Sequence, residues 1–400
     1  MQEPIARAPG HAGLIFILAV AAFASTYASR TAEPLVGVIA RDLASTPDTI
    51  ALVTAVFALP YAMVQPVLGP VGDTLGKERV MKVSLAVLAA TLAVSAFVTD
   101  SATLLALRFL SGAAAGGIIP AGVATIGDRV ALERRQVALS RFIMAVVIGQ
   151  LCGSSVSGIL AEVIGWRGVF ILASAVAVAG WLAVTARFPS APPPSSGLSV
   201  ADAAARYRAI LAIPRARALY AFVFIEAVTI YGVFPFIAPV FEERGLGGPL
   251  EAGVALAAFG LGGLLFALGV SVMVRLPLPR MLVGGGIVVG LSLLTLPIAP
   301  DWRVEVAAML AAGFGFYMLH NPFQTQVTEV APHSRASAVS LHALSFFGGQ
   351  ALGVVVIGFG LRTVGFLATM ALCALAIFAT GLVAARVLAV PLAPDQPRPR

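Results

Sequence analysis

"GPVGDTLGKERV", residues 69–80, is a short, glycine-rich, charged stretch set between two apolar runs near 50–69 and 80–98. Each run is close to the ~20 residues that a helix needs to cross a ~30 Å hydrocarbon core. The stretch therefore reads as a tight link between two membrane-spanning helices. Its basic residues mark the face of the membrane on which the link lies.

Ten further runs of similar length lie near 12–38, 102–126, 138–163, 167–187, 216–241, 250–274, 281–299, 304–327, 337–360 and 364–387. Glycine and proline interrupt many of them, which helices inside a protected bundle tolerate. Hydrophobic residues make up 59% of the 400 and charged residues 11%, with a mean hydropathy of +0.96. A water-soluble chain of this size has no way to hide so much apolar surface. The expected fold is an all-α membrane protein with twelve transmembrane helices and both termini cytoplasmic. The longest polar interruption, 188–215, opens with "FPSAPPPSSG" as a linker and continues with "VADAAARYRAIL" as a short surface helix. It divides the chain into an N-terminal six-helix bundle (1–187), a cytoplasmic linker (188–215) and a C-terminal six-helix bundle with its tail (216–400).

Of the 26 Lys and Arg, nineteen fall in the tails and loops assigned to the cytoplasm, five fall opposite, and Arg30 and Arg108 lie inside spans. That bias is the positive-inside pattern. The net charge of +7 is thus mostly a topology signal, and no nucleic-acid partner is needed to explain it. "MQEPIARAPGHAG" lacks a cleavage pattern and reads as a cytoplasmic tail. Cys152 and Cys373 both fall in apolar runs, so neither a disulfide framework nor a metal site is expected, and no cofactor is implied. Phosphate loops, metal-ligand spacings and nucleophile elbows are missing, so an enzyme is not expected.

The stretch at 69–80 resembles the loop signature of the major facilitator superfamily (MFS), G-x-L-A-D-R-x-G-R-K. Gly69, Asp73 and Gly76 match, and Val71, Gly72 and Lys77 are mild replacements. Thr74 and Glu78 depart, and Arg79 compensates for one lost basic group. The resemblance implies a conformational latch at Gly69, Asp73, Gly76, Lys77 and Arg79. "LALRFLSGAAAGG" (105–117) resembles the family's R-x-x-x-G pattern through Arg108 and Gly112, which implies a role for Arg108 in proton coupling or substrate binding. "GQLCGSSVSGIL" (149–160) resembles the antiporter motif loosely, with Ser154 where that motif has proline. "GWRGVF" (165–170) and residues 331–353 also resemble family text. "VRLPLPRM" (274–281) keeps basic residues but lacks the acid of the loop signature.

Ionisable groups inside spans are costly, at about 2.5–3.5 kcal/mol near a helix centre on insertion scales. In "ASRTAEP" (28–34), Arg30 lies ~7–8 Å from the middle of its span and Glu33 one turn further out. Arg108 lies ~9 Å from the middle of the fourth span. Similar depth makes an Arg108–Glu33–Arg30 cluster the expectation, given that the family's first and fourth helices line a central cavity. The competing reading ends the first helix at 29 and leaves Arg30 at the water interface. Glu226, mid-span in "FVFIEAVTIYGVFPF" (222–236), is the first choice for a reversible proton carrier and Glu33 the second. The competing reading of Glu226 is a carboxylate tied to a neighbouring helix. Tyr231 lies beside Gly232 and Pro235, which can break the helix.

"YMLHNPFQTQ" (317–326) places Tyr317, His320, Asn321 and Gln324 at helical three-and-four spacing, either as a polar substrate wall or as interhelical hydrogen bonding. Tyr61, Gln65, Gln150 and Tyr231 are further substrate-binding candidates, as are Arg30, Glu33, Arg108 and Glu226, while Phe234, Phe236, Phe346 and Phe347 read as packing. The expected protein is a bacterial-type inner-membrane, multi-pass secondary transporter using alternating access. It is expected to act as a monomer, with protons as coupling ion, in the efflux of a small organic molecule. A proton-coupled importer of a sugar or organic acid is the alternative, and a non-transporting membrane sensor is the alternative of another class.

Overall fold

Pro34 decides the shape of the first apolar run. It has no N–H to give to the carbonyl of Arg30, and its ring crowds that carbonyl, so a helix arriving from the N-terminal side stops there. In the computed structural model, which describes residues 11–188, 200–331 and 334–389, α1 spans His11–Arg30, a 3-10 turn covers Glu33–Leu35, and α2 resumes at Val36–Asp42. Pro235 breaks the chain in the same way: α9 (Pro214–Ile230) ends before Tyr231 and α10 (Phe234–Glu243) follows. The expected runs 12–38 and 216–241 are therefore broken helices.

A third run, 102–126, divides at Gly116 and Gly117 into α5 (Ser101–Ala115) and α6 (Ile118–Arg129). The runs 138–163 and 167–187 instead join end to end in α7 (Leu132–Arg187), where Gly165 alone leaves the helical region, with φ +69° and ψ 168°. The remaining helices are α3 (Pro47–Leu75), α4 (Lys77–Ser95), α8 (Val200–Ala212), α11 (Pro249–Met273), α12 (Leu278–Thr295), α13 (Trp302–Val330), α14 (Arg335–Thr363) and α15 (Phe366–Ala389). Their bounds agree with the expected runs to within a few residues, and α8 is the short helix expected in the linker. Residues 1–10, the Pro/Ser-rich stretch 189–199 and the tail with Arg398 and Arg400 lie outside the described residues, as does the side chain of Asp73.

Among the described residues, ten helical stretches are long and apolar enough to cross a membrane. Val137–Arg187 is one stretch in that count although Gly165 divides it. The 19-residue α4 is outside the count, and its first two turns carry Lys77, Glu78, Arg79 and Lys82. Large apolar side chains such as Phe16, Val163, Leu268 and Leu375 point outward, a surface suited to lipid rather than water.

Two sets of helices pack internally. In the first, α1 lies on α7, α3 on α5, and α4 on both α5 and α7. In the second, α11 lies on α13, α12 on α13 and α15, and α14 on α9. The sets meet along α3–α14 and α7–α11. At one end, ion pairs cross between them: Arg41 with Glu242, and Asp48 with Arg362 at 2.9 Å. At the opposite end, Lys77–Asp128 and Glu78–Arg129, both at 2.5 Å, stay within the first set.

The chain also repeats at an offset of 201 residues. Pro34 and Pro235 break the first helix of each set, and Asp100 and Asp301 accept the first-turn N–H of α5 and α13. Arg41 and Glu242, paired across the sets, stand at the same offset. The weak second copy of the loop signature conceals this repeat, which the proline and N-cap positions carry instead.

Candidate functional site

The break after Arg30 leaves the last carbonyls of α1 without intrahelical donors. Arg108, fully buried on α5, supplies them: Nη1 donates to the carbonyl of Ala28 at 3.0 Å and Nη2 to that of Ser29 at 3.4 Å. Nε donates to Val53 at 3.3 Å, and the guanidinium lies 4.3 Å from the centre of the Phe57 ring. Its donors are thus spent on backbone and it makes no ion pair with Glu33. A cation at a helix C-terminus is also favoured by the helix dipole. The expected three-member charge cluster is in contact as a two-member pair.

That pair is Arg30 and Glu33. Nη1 of Arg30 donates to Oε1 of Glu33 at 2.6 Å, and the two residues are 3% and 0% exposed. They lie in the protein interior and not at a water interface. Ser154 on α7 donates to the other carboxylate oxygen at 3.3 Å. The serine that departs from the antiporter pattern is therefore a polar partner of Glu33, which sequence reading missed although the departure was visible. Gly153 beside it lets α7 reach α1: a Cβ there would stand 2.5 Å from the carbonyl oxygen of Tyr27 and 2.9 Å from Cβ of Arg30.

Facing this pair is the other broken helix. The guanidinium of Arg30 lies over the Tyr231 ring at 4.3 Å and near Phe234 at 5.7 Å. Rings of Phe259, Phe316 and Phe346 surround Tyr231 with centres 5.1–5.8 Å away. Between the two walls is a cavity with about 370 Å³ of unfilled space, part of it open, lined by Arg30, Gln150, Ser154, Tyr231, Phe234, Phe259 and Tyr317 among others. Phe234 and Phe346, read from sequence as packing, thus belong to the cavity wall or its immediate backing. Phe236 and Phe347 pack elsewhere, the latter 4.0 Å from the Tyr61 ring.

Glu226 on α9 is fully buried, and its Oε2 lies 2.8 Å from Nδ1 of His320 on α13. Its Oε1 has no hydrogen-bond partner among the described residues. His320 stacks on Phe316 at 4.8 Å and stands 5.3 Å from the His342 ring. Tyr317 lines the cavity, while His320, one turn on, is paired with Glu226 behind the lining residues. Gln324 lies about 10 Å further along α13 than Tyr317 and is exposed, and Asn321 is half-buried away from the cavity. Tyr61 is buried beside Phe57 and Phe347. Gln65 donates to the carbonyls of Tyr61 and Gly116, both at 3.2 Å, so it serves the break between α5 and α6. No group of three or more metal-ligating side chains occurs among the described residues.

Around the loop link, Gly76 takes φ +87° and starts α4, Lys77 pairs with Asp128, and Arg79 is exposed. Glu78, the departure from the loop signature, pairs with Arg129.

The model of the Major Facilitator Superfamily matches residues 18–354. The chain belongs to that superfamily. This MFS protein is a multi-pass membrane transporter. Similar proteins include the uncharacterized MFS-type transporter YwfA of Bacillus subtilis, 23% identical over 364 residues that cover 88% of this chain and 87% of that one. The uncharacterized MFS-type transporter YceJ of the same species is 24% identical over 332 residues, 82% of this chain and 84% of its own. The efflux pump radE of Floropilus chiversii is 27% identical over 182 residues, 44% of this chain and 34% of its own.

Proposed function

We propose that this MFS protein is a proton-coupled secondary transporter of a small organic molecule, working by alternating access in a bacterial-type inner membrane. Twelve passes follow if α4 and the two parts of α7 each cross once beside the other nine stretches. The bias of Lys and Arg then puts both termini in the cytoplasm. The end closed by Arg41–Glu242 and Asp48–Arg362 is the periplasmic one in that orientation, and the loop link at 69–80 is cytoplasmic, where Lys77 and Arg79 would belong to its latch with Gly69, Asp73 and Gly76.

The observation that carries proton coupling is Glu226. It is a fully buried carboxylate with one oxygen on His320 and the other without a partner among the described residues. A charge so placed is costly unless it is compensated, so gain and loss of a proton there changes which packing of α9 against α13 is favoured. Glu33, held by Arg30, is the second carrier, and Arg108 keeps the end of α1 in place.

Export is the primary direction, supported by the efflux pumps among similar proteins. Export against an inward proton gradient needs cargo and proton to compete for the site. Import with a proton needs them to bind together. The Arg30–Glu33 pair favours this second reading, because protonating Glu33 frees the arginine for an anion. Proteoliposomes with an imposed pH gradient, screened over cationic and anionic solutes, test the proposal. Flux that follows the gradient, and is lost in Glu226→Gln, is expected. Flux indifferent to the gradient refutes proton coupling, and full coupling in both Glu226→Gln and Glu33→Gln refutes these carriers.

A further inference from the structure

Arg30 is almost wholly buried yet uses only one of its donor groups. Nη1 goes to Glu33, while Nε and Nη2 make no hydrogen bond among the described residues, and the side chain lines the cavity. Donors left without a partner in a membrane interior are expensive, and a planar guanidinium edge matches a carboxylate held through two parallel bonds. The wall opposite is aromatic: Tyr231, Phe234 and Phe259. Neither Glu33 nor Glu226 lines the cavity: the first is paired with Arg30, and the second with His320, which does not line it either. A cation entering would meet a guanidinium, while an anion would meet its unused donors.

The charges set how many negative units fit. With both carboxylates ionised, Arg30 and Arg108 balance Glu33 and Glu226; His320 is paired with Glu226, and Tyr231, Tyr317 and His342 stand near that pair. One added negative charge is balanced when one proton arrives on Glu33, whose bond to Nη1 of Arg30 is then given up to the ligand. In this conformation the water-sized space enclosed there is only about 30 Å³, so the walls must separate for cargo to enter.

We infer that the cargo is a small organic monocarboxylate with a flat apolar body, bound by the free edge of Arg30 against the Phe234–Phe259 wall and taken up together with a proton on Glu33. The inference rests on this cavity being the transport site and deepens the second of the two readings above. The titratable groups within electrostatic reach of Glu33 are Arg30 on its own segment, Arg108 on α5 and Tyr231 at the α9–α10 break. Arg30 and Arg108 stay charged through the neutral range and Tyr231 stays neutral. His320 and His342 stand further off, on the Glu226 side, so loss of the pH response in Glu33→Gln is what assigns that response to Glu33.

Calorimetric titration of the purified protein in nanodiscs, with no gradient, tests this with benzoate, benzamide and benzylamine at pH 6 and pH 8. Benzoate, ionised at both values, is expected to bind, more tightly at pH 6, and benzamide and benzylamine at least tenfold more weakly. Arg30→Gln is expected to lose benzoate by tenfold or more. Glu33→Gln, which imitates the protonated state, is expected to bind benzoate as tightly as the wild type at pH 6 and without pH dependence. Should Arg30→Gln not fold, the ligand series on the wild type and on Glu33→Gln still decides. Benzylamine binding with benzoate silent, or benzoate affinity equal at both pH values in the wild type, overturns the inference. Benzoate binding as expected with no gradient-driven uptake overturns the coupled uptake and leaves only a carboxylate site at Arg30. Gradient-driven flux of a cation without benzoate binding overturns the inference and leaves proton-coupled transport standing.

Discussion

The two broken helices, α1–α2 and α9–α10, use one backbone device for two kinds of chemistry. A proline at position 34 or 235 ends each helix four or five residues before it, and the residues four before each proline, Arg30 and Tyr231, face each other at 4.3 Å. Further out, Arg41 and Glu242 meet at the same offset. A repeat related by a pseudo-twofold axis brings equivalent positions together, so one wall carries the charge and the other the ring. The shared proline accounts for the break, and the different residues around it, Arg30 and Glu33 against Tyr231 and Phe234, account for the chemistry.

The largest expected difference between the walls is in stability. Arg30→Leu leaves Glu33 buried without its cation and should cost about 3–5 kcal/mol, recovered largely in the double variant with Glu33→Leu. Tyr231→Leu removes a cation–ring contact and should cost about 2 kcal/mol. Chaotrope unfolding in detergent measures both. Equal losses would break the contrast between a charged and an aromatic wall.

Next come the close approaches that seat each broken helix. A Cβ on Gly153 meets the Tyr27 carbonyl oxygen at 2.5 Å, and one on Gly353 meets that of Val228 at 2.6 Å. Gly153→Ala and Gly353→Ala should each cost roughly 1–3 kcal/mol. Only Gly153→Ala also presses on Cβ of Arg30. Carboxylate affinity should therefore fall in that variant and hold in the other, which calorimetry reads directly.

The ion pairs across the sets should matter less, since exposed pairs contribute about 0–1 kcal/mol each. Replacing Arg41 and Arg362 together by Gln should enlarge the population open at that end. Spin labels at Ser45 and Gly247, in a background with Cys152 and Cys373 replaced by Ser, should show an added longer distance. An unchanged distribution would mean that the contacts of α3 with α14 and α7 with α11 close that end unaided.

The smallest effect belongs to the paired N-caps. Asp100 accepts the Thr103 N–H at 2.8 Å and Asp301 the Arg303 N–H at 2.7 Å. Asp100→Ala and Asp301→Ala should each lower the melting temperature slightly without altering flux. The Thr103 N–H and hydroxyl hold the Asp100 carboxyl below its usual value of 3.8. Its contribution is thus present at neutral pH and is lost as pH falls through its folded-state value, so the gap between Asp100→Ala and wild type should close in acid.

Much of this was legible in the residues alone. The apolar runs, the break near Pro235, the asymmetry of Lys and Arg and the unusual buried charges are local properties, set by transfer energies and backbone chemistry that need no neighbour. Arg30, Glu33, Glu226 and His320 were recognisable as costly groups for that reason. Their partners were not. Arg108 is committed to carbonyls 79 and 80 residues away, Glu33 is held by a serine 121 residues away, and Glu226 meets a histidine 94 residues away. Which donors are spent and which are left free for cargo depends on how the two sets of helices come together. A linear pattern gives the price of each charge, and only the tertiary structure says what compensates it.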